Sequence, residues 1–201
     1  MLIGLGLGPG DKELLTLRAV RLLKEADAVF VPGNMAADLV REYREPEILS
    51  FPMNDNEDEI KKALMDNAQR IAEYAENGIA VLGMIGDPSF YSTFNRQCEI
   101  LREVRPDIKC RVEPGISSIT AFASRAGIAL DGGFVVTDGE DPDAIIMLKV
   151  KKPRQKADEL RVRGYKEFVL AERVFLDHER IYRGSDLPEQ SDYFSIMMAR
   201  K

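Results

Sequence analysis

Hydrophobic positions change their spacing twice within the first 33 residues. The run "LIGLGL" (2–7) is short and apolar, with glycine at every second position from Gly4 to Gly10. Leu14, Leu15, Ala19, Leu22, Leu23 and Ala26 then return at helical spacing, and "DAVFVPG" (27–33) is a β-branched run closed by Pro-Gly. The order predicts strand, helix, strand, a βαβ unit whose default is a right-handed connection between paired parallel strands.

Residues 33–56 carry no clear period. A helix is predicted over about 57–76, stopped by Asn77-Gly78, and "IAVLGMI" (79–85) is apolar throughout, as a strand covered on both faces should be. It ends at Gly86-Asp87-Pro88. A helix over about 90–103, a strand over 107–113 and a helix of small residues after Pro114-Gly115 follow. Beyond Gly127 the texture changes to closely spaced strands, "FVVT", "AIIMLKV", "EFVLAE", "ERIYR" and "YFSIMM", with one helix at about 153–163. The expected class is therefore α/β with two domains: a doubly wound parallel unit over 1–114 and a smaller mixed-sheet unit over 115–201.

Composition narrows the partners. With 201 residues, 45% hydrophobic and 31% charged, the chain is of ordinary globular make-up. It has no apolar run of membrane length and no basic leader, which predicts a cytoplasmic protein without a membrane partner. The two cysteines, Cys98 and Cys110, lack metal-ligand spacing, and the lone histidine, His178, lies in a polar stretch and reads as a surface residue; no metal site is expected. A net charge of −6 argues against a nucleic-acid surface, so an anionic ligand must be held by local groups.

The opening glycines invite a phosphate-loop reading, and spacing excludes it. A dinucleotide fingerprint started at Gly4 needs glycine where Pro9 stands, and started at Gly6 it needs glycine where Asp11 stands. No Gly-Lys pair exists for a Walker A loop. Asp11 is better placed as a helix cap. What remains is either a tight strand-to-helix turn or a ligand loop at the carboxyl edge of the sheet, where open α/β sheets bind ligands. Two further turns share that edge, "IGDPSFYSTF" (85–94) and "VEPGISSITAF" (112–122), in which Ser117-Ser118 also suit a helix cap.

The three turns together, "GLGPGDKELLTLRA", "GDPSFYSTF" and "EPGISSITAFASRAGIAL", resemble the marks of the tetrapyrrole (precorrin) methylases. The resemblance implies two α/β domains, S-adenosyl-L-methionine bound between them as methyl donor, a tetrapyrrole substrate and a homodimer. Tyr-Ser-Thr-Phe after Gly-Asp-Pro, with Pro-Gly-Ile-Ser-Ser and "MLKV", is most similar to the branch that methylates C20 of precorrin-2 or cobalt-precorrin-2. Methylation of another ring carbon, such as C11 or C17, and non-catalytic binding of the same ligands stay open.

Carried over by position, the resemblance implies cofactor contacts at Pro9, Ile85, Gly86, Asp87, Phe90, Tyr91, Ser117, Ser118, Met147, Leu148, Arg173 and Val174. Gly8 together with the cations Arg18, Arg96 and Lys149 is expected to serve the carboxylate-rimmed substrate. No general base is identified, and the segment 131–150 is shorter than the family pattern suggests.

Overall fold

The computed structural model describes residues 1–137 and 139–201. The chain divides into two compact units, Met1–Asp131 and Gly132–Lys201. The boundary expected at 114/115 falls within the first of them, and the division lies instead near the change of texture after Gly127.

The first unit is built on a five-stranded sheet of β1 (Leu2–Gly6), β2 (Ala28–Val31), β3 (Glu47–Ile48), β4 (Ala80–Met84) and β5 (Cys110–Glu113). Their order is β3-β2-β4-β1-β5, and every pairing is parallel. Helices α1 (Leu17–Glu25) and α2 (Asn34–Val40) pack on one face around Ile3, Leu5 and Val81. The opposite face, with Leu2, Phe30 and Leu82, is covered by α3 (Glu57–Ala75) and α4 (Phe94–Val104). Such two-sided cover requires apolar residues at successive strand positions, and all five residues of β1 and of β4 are buried.

Two local expectations are corrected here. The helix read from residue 12 onward is broken: Asp11 caps a short 3-10 turn, Lys12–Leu14, through a bond from the Glu13 amide. α1 itself starts after Thr16, whose Oγ accepts from the Ala19 amide at 3.0 Å. β1 and β2, expected to pair, are separated by β4. The first connection therefore skips a place that is filled about fifty residues later in the chain.

Helix α5 (Ser118–Ala126) closes the first unit, with Ser117 as its N-cap and Gly127 left-handed at its C-terminus. Polar and small residues dominate it, and none of its residues is buried.

The second unit is a four-stranded sheet of β6 (Ala144–Leu148), β7 (Glu167–Glu172), β8 (Arg180–Arg183) and β9 (Ser195–Arg200), in the order β6-β9-β7-β8. All of its pairings are antiparallel, so the sheet is not mixed. "FVVT" forms no strand: Phe134 and Val135 are exposed and β-propensity alone supplies no ladder partner. Helix α6 (Pro153–Arg161) covers one face, packing Ala157 and Leu160 with Phe168, Leu170, Met197 and Ala199. Strand alternation then turns Ile146, Leu148 and Ile196 to the other face, where they are exposed.

Candidate functional site

In the first unit, β4, β1 and β5 lie side by side, so the three turns named above leave adjacent strand ends. They are joined to one another. Gly8 and Gly86 exchange two backbone hydrogen bonds, the Gly86 amide donating to the Gly8 carbonyl at 2.7 Å and the Gly8 amide to the Gly86 carbonyl at 3.3 Å. Both glycines have positive φ, 73° and 77°, a region that other residues enter at a cost. Gly6 and Gly115 come into backbone contact: a Cβ on Gly6 would sit 2.3 Å from the Gly115 nitrogen and 2.8 Å from the Gly86 oxygen.

Asp87 completes the junction. Its side chain is buried, and its two oxygens accept from the Ser89 amide at 2.8 Å and from the Gly115 amide at 3.1 Å. The carboxylate therefore shapes its own turn and fastens it to the third. Ser117 caps α5 by accepting from the Ile119 amide, whereas the Ser118 hydroxyl side is exposed. The space in front of Gly86 opens toward α5: the only neighbour an added Cβ would meet is the Ser118 nitrogen, at 3.8 Å. Pro9 is half-buried, and Ile85, Phe90 and Tyr91 are exposed beside this gap in sequence, Tyr91 with φ of 48°.

Two cations expected to serve the substrate are already engaged. Arg18, in the first turn of α1, bonds to Glu113 Oε2 at 3.1 Å. Glu113 ends β5 with a side chain only 9% exposed, and its other oxygen holds Arg111 at 3.1 Å. Arg96, on α4, pairs with Glu57 at the start of α3. Arg18 thus stands at the sheet edge that carries the turns, while Arg96 ties two helices together.

The remaining predicted residues converge in the second unit. A hollow of about 460 Å³ is lined by Leu148, Lys149, Arg173 and Val174, together with Tyr193 and Phe194. It forms where β6 and β7 end and β9 begins. The Lys149 amide donates to the Ser195 carbonyl at 2.7 Å and the Arg173 amide to the Phe194 carbonyl at 2.8 Å, which extends both ladders past the regular strands. Lys149 and Arg173 hold φ of 56° and 55°, a left-handed backbone at both lips of the hollow. Arg173 Nε donates to the Asp177 carbonyl at 2.7 Å, and its Nη1 lies 3.6 Å from Asp192. Buried Glu172 accepts from the Asp192 amide at 2.9 Å and so fixes the loop that presents Tyr193 and Phe194.

Met147 and Leu148, read as a joint apolar wall, face opposite ways. Met147 packs against the α6-side core, and Leu148, 68% exposed, lines the hollow. Strand alternation requires this division. The aromatic pair Tyr193-Phe194 was legible as part of an apolar terminal strand; its position just before β9, at the hollow, depends on pairing that the local pattern does not encode. His178 is exposed.

The family model of the tetrapyrrole (corrin/porphyrin) methylases matches residues 1–185. The chain is a tetrapyrrole methylase. Members of this family use S-adenosyl-L-methionine as methyl donor. A probable cobalt-precorrin-2 C(20)-methyltransferase of Methanocaldococcus jannaschii is 29% identical over 98% of the chain and 95% of the relative. The cobalamin biosynthesis protein CobIJ of Mycobacterium tuberculosis is 27% identical over 97% of the chain, which spans 45% of that relative's length. Among solved structures, the methyltransferase CobJ aligns with a TM-score of 0.51 at 19% identity, covering 100% of the chain and 93% of CobJ. Uroporphyrin-III C-methyltransferase of Thermus thermophilus aligns at 0.50 and 21%, over 100% and 92%. These two likenesses concern the fold.

Proposed function

We propose that this methylase transfers a methyl group from S-adenosyl-L-methionine to C20 of precorrin-2 or cobalt-precorrin-2, a step of cobalamin biosynthesis. The carrying observation is the end-to-end likeness to the Methanocaldococcus relative, with both lengths almost wholly covered. The cofactor supplies an electrophilic methyl on a sulfonium, so the chain's own work is alignment and exclusion of water.

The residues fit that cofactor. Opposite Gly86, the N-terminal turn of α5 presents the Ser118 amide at the positive end of a nine-residue helix, which suits the methionine carboxylate. The Gly8–Gly86 bridge and Asp87 hold that turn rigid, so little ordering is left to binding. In the second unit, Leu148, Val174 and Phe194 give the hollow an apolar lining of a size that accepts adenine. Asp87, with both oxygens occupied, acts by positioning backbone rather than by touching the cofactor. Arg18, oriented by Glu113, is the first-unit cation best placed to meet a substrate carboxylate. A homodimer is part of the same reading.

The test is anaerobic incubation with precorrin-2 and, separately, cobalt-precorrin-2, using carbon-13-methyl-labelled cofactor. One added methyl by mass, with its NMR signal at C20, is the expected result. Label at C11 or C17 moves the assignment to another ring carbon, and no product from either substrate overturns the reading.

A further inference from the structure

Beside the apolar hollow of the second unit lies a second one, of about 360 Å³, lined by Lys149, Lys151, Lys152, Gln190, Ser191 and Tyr193. The two share Lys149 and Tyr193. Three lysines thus line one small concavity in a chain whose net charge is −6.

Neighbouring cations have found carboxylates: Arg154 pairs with Glu189, Lys156 with Glu159, and Arg173 with Asp192. Among the described residues, Lys149, Lys151 and Lys152 form no ion pair. Lys149 instead places its Nζ 5.0 Å from the centre of the Tyr193 ring.

The frame of this concavity is fixed. Ser191 donates its amide to the Lys151 carbonyl at 3.1 Å and its hydroxyl to the Val150 carbonyl, and Ser195 Oγ donates to the same carbonyl at 3.1 Å. Lys152 stands at the N-cap of α6 with no side-chain cap bond; Pro153 has no N–H, so the amides of Arg154 and Gln155 are the ones that add positive potential at this end of the helix. Charge, concavity and a rigid frame therefore coincide next to an apolar hollow. The ligand they suit is a flat or apolar body that carries an anionic arm.

We propose that the Lys149–Lys151–Lys152 hollow is a carboxylate-binding subsite that receives an acetate or propionate arm of the tetrapyrrole. The inference rests on the proposed function for the identity of the ligand. The methionine carboxylate of the cofactor has the same chemistry, and the experiment separates the two sources.

Uroporphyrin III serves as the macrocyclic probe, measured by fluorescence quenching, and S-adenosylhomocysteine as the cofactor probe, measured by calorimetry. The wild-type chain is compared with K151A/K152A and with the charge-keeping K151R/K152R. Expected are an affinity for uroporphyrin III about 10-fold weaker in the alanine variant and restored in the arginine variant, a shallower salt dependence in the alanine variant, and unchanged S-adenosylhomocysteine binding. Loss confined to S-adenosylhomocysteine keeps the subsite and assigns it to the cofactor carboxylate. Unchanged affinity for both probes overturns it, as does a wild-type chain that binds neither. Lysine-dependent uroporphyrin binding without methyl transfer to either precorrin-2 form leaves the subsite standing and removes only the C20 assignment.

Discussion

Gly6 and Gly115 touch backbone to backbone across the ends of β1 and β5, close enough that neither accepts a side-chain carbon: the Gly115 Cβ would lie 2.3 Å from the Gly86 oxygen and 2.7 Å from Gly6 Cα. Both partners are main chain, so relief requires the turns to part. Gly6→Ala and Gly115→Ala are each expected to cost about 2–3 kcal/mol in denaturant unfolding, the upper range for overpacking, and to weaken S-adenosylhomocysteine binding. Gly132→Ala, with open space around it, is the control and should be neutral. A tolerated G115A with full binding would show that the turns are not locked together.

Asp87 uses its two oxygens on two different turns, and an amide can accept through only one of them. Asp87→Asn should therefore cost about 1 kcal/mol and Asp87→Ala about 2, with cofactor affinity falling in the same order. Thermal unfolding and calorimetry on the two variants give the ranking. Equal effects of both would assign the role to charge rather than to the two bonds.

Much of this arrangement was legible in the sequence, for physical reasons. Strands with cover on both faces announce themselves by unbroken apolar runs, so β4 and its central place could be read from "IAVLGMI". Helices α3, α5 and α6 carry their own stop and start residues. What local pattern does not contain is pairing. The insertion of β4 between β1 and β2, the opposite facings of Met147 and Leu148, and the approach of Tyr193 to the end of β6 all depend on register with distant strands. The short helix α2, lying in a stretch without clear period, was missed because its seven residues span only two turns.

That opposite facing gives a paired prediction. Met147→Ala removes packing from the α6-side core and should destabilise by about 1–3 kcal/mol, while Leu148→Ala should leave stability within about 0.5 kcal/mol and weaken S-adenosylhomocysteine binding. Unfolding curves and binding isotherms of both variants test it. Reversed effects would contradict the facing of β6.

Glu113 holds Arg18 and Arg111 from a nearly buried position. Glu113→Gln keeps the shape and removes the charge, with an expected cost of about 1–2 kcal/mol, reduced because both arginines are half-exposed. If Arg18 meets substrate, the variant raises KM for the tetrapyrrole more than it lowers kcat. A change in kcat alone would place Arg18 outside the substrate's reach.

Cys98 and Cys110 pack together at the core between α4 and the sheet, and interaction of the two thiols separates their acidities. The interaction with Cys98 holds the Cys110 thiol down to about 7, and the same interaction together with burial pushes Cys98 up. As pH rises through about 7, Cys110 becomes the thiolate and Cys98 stays protonated. Alkylation by iodoacetamide, followed by peptide mass mapping, should therefore modify Cys110 first, with a rate midpoint near pH 7. A higher midpoint is expected in Cys98→Ala, where the largest cause of the lowering is gone, and an unchanged midpoint would contradict it.

The order of strands also sets a timetable. Within the first sheet β1 precedes the other strands in sequence, yet both of its ladder partners, β4 and β5, come from residues 80–113. The opening glycine loop therefore meets its backbone partners only when Gly86 and Gly115 have followed. Formation of that loop is thus tied to contacts about eighty to one hundred residues away in sequence, the long-range closure that slows folding of parallel sheets.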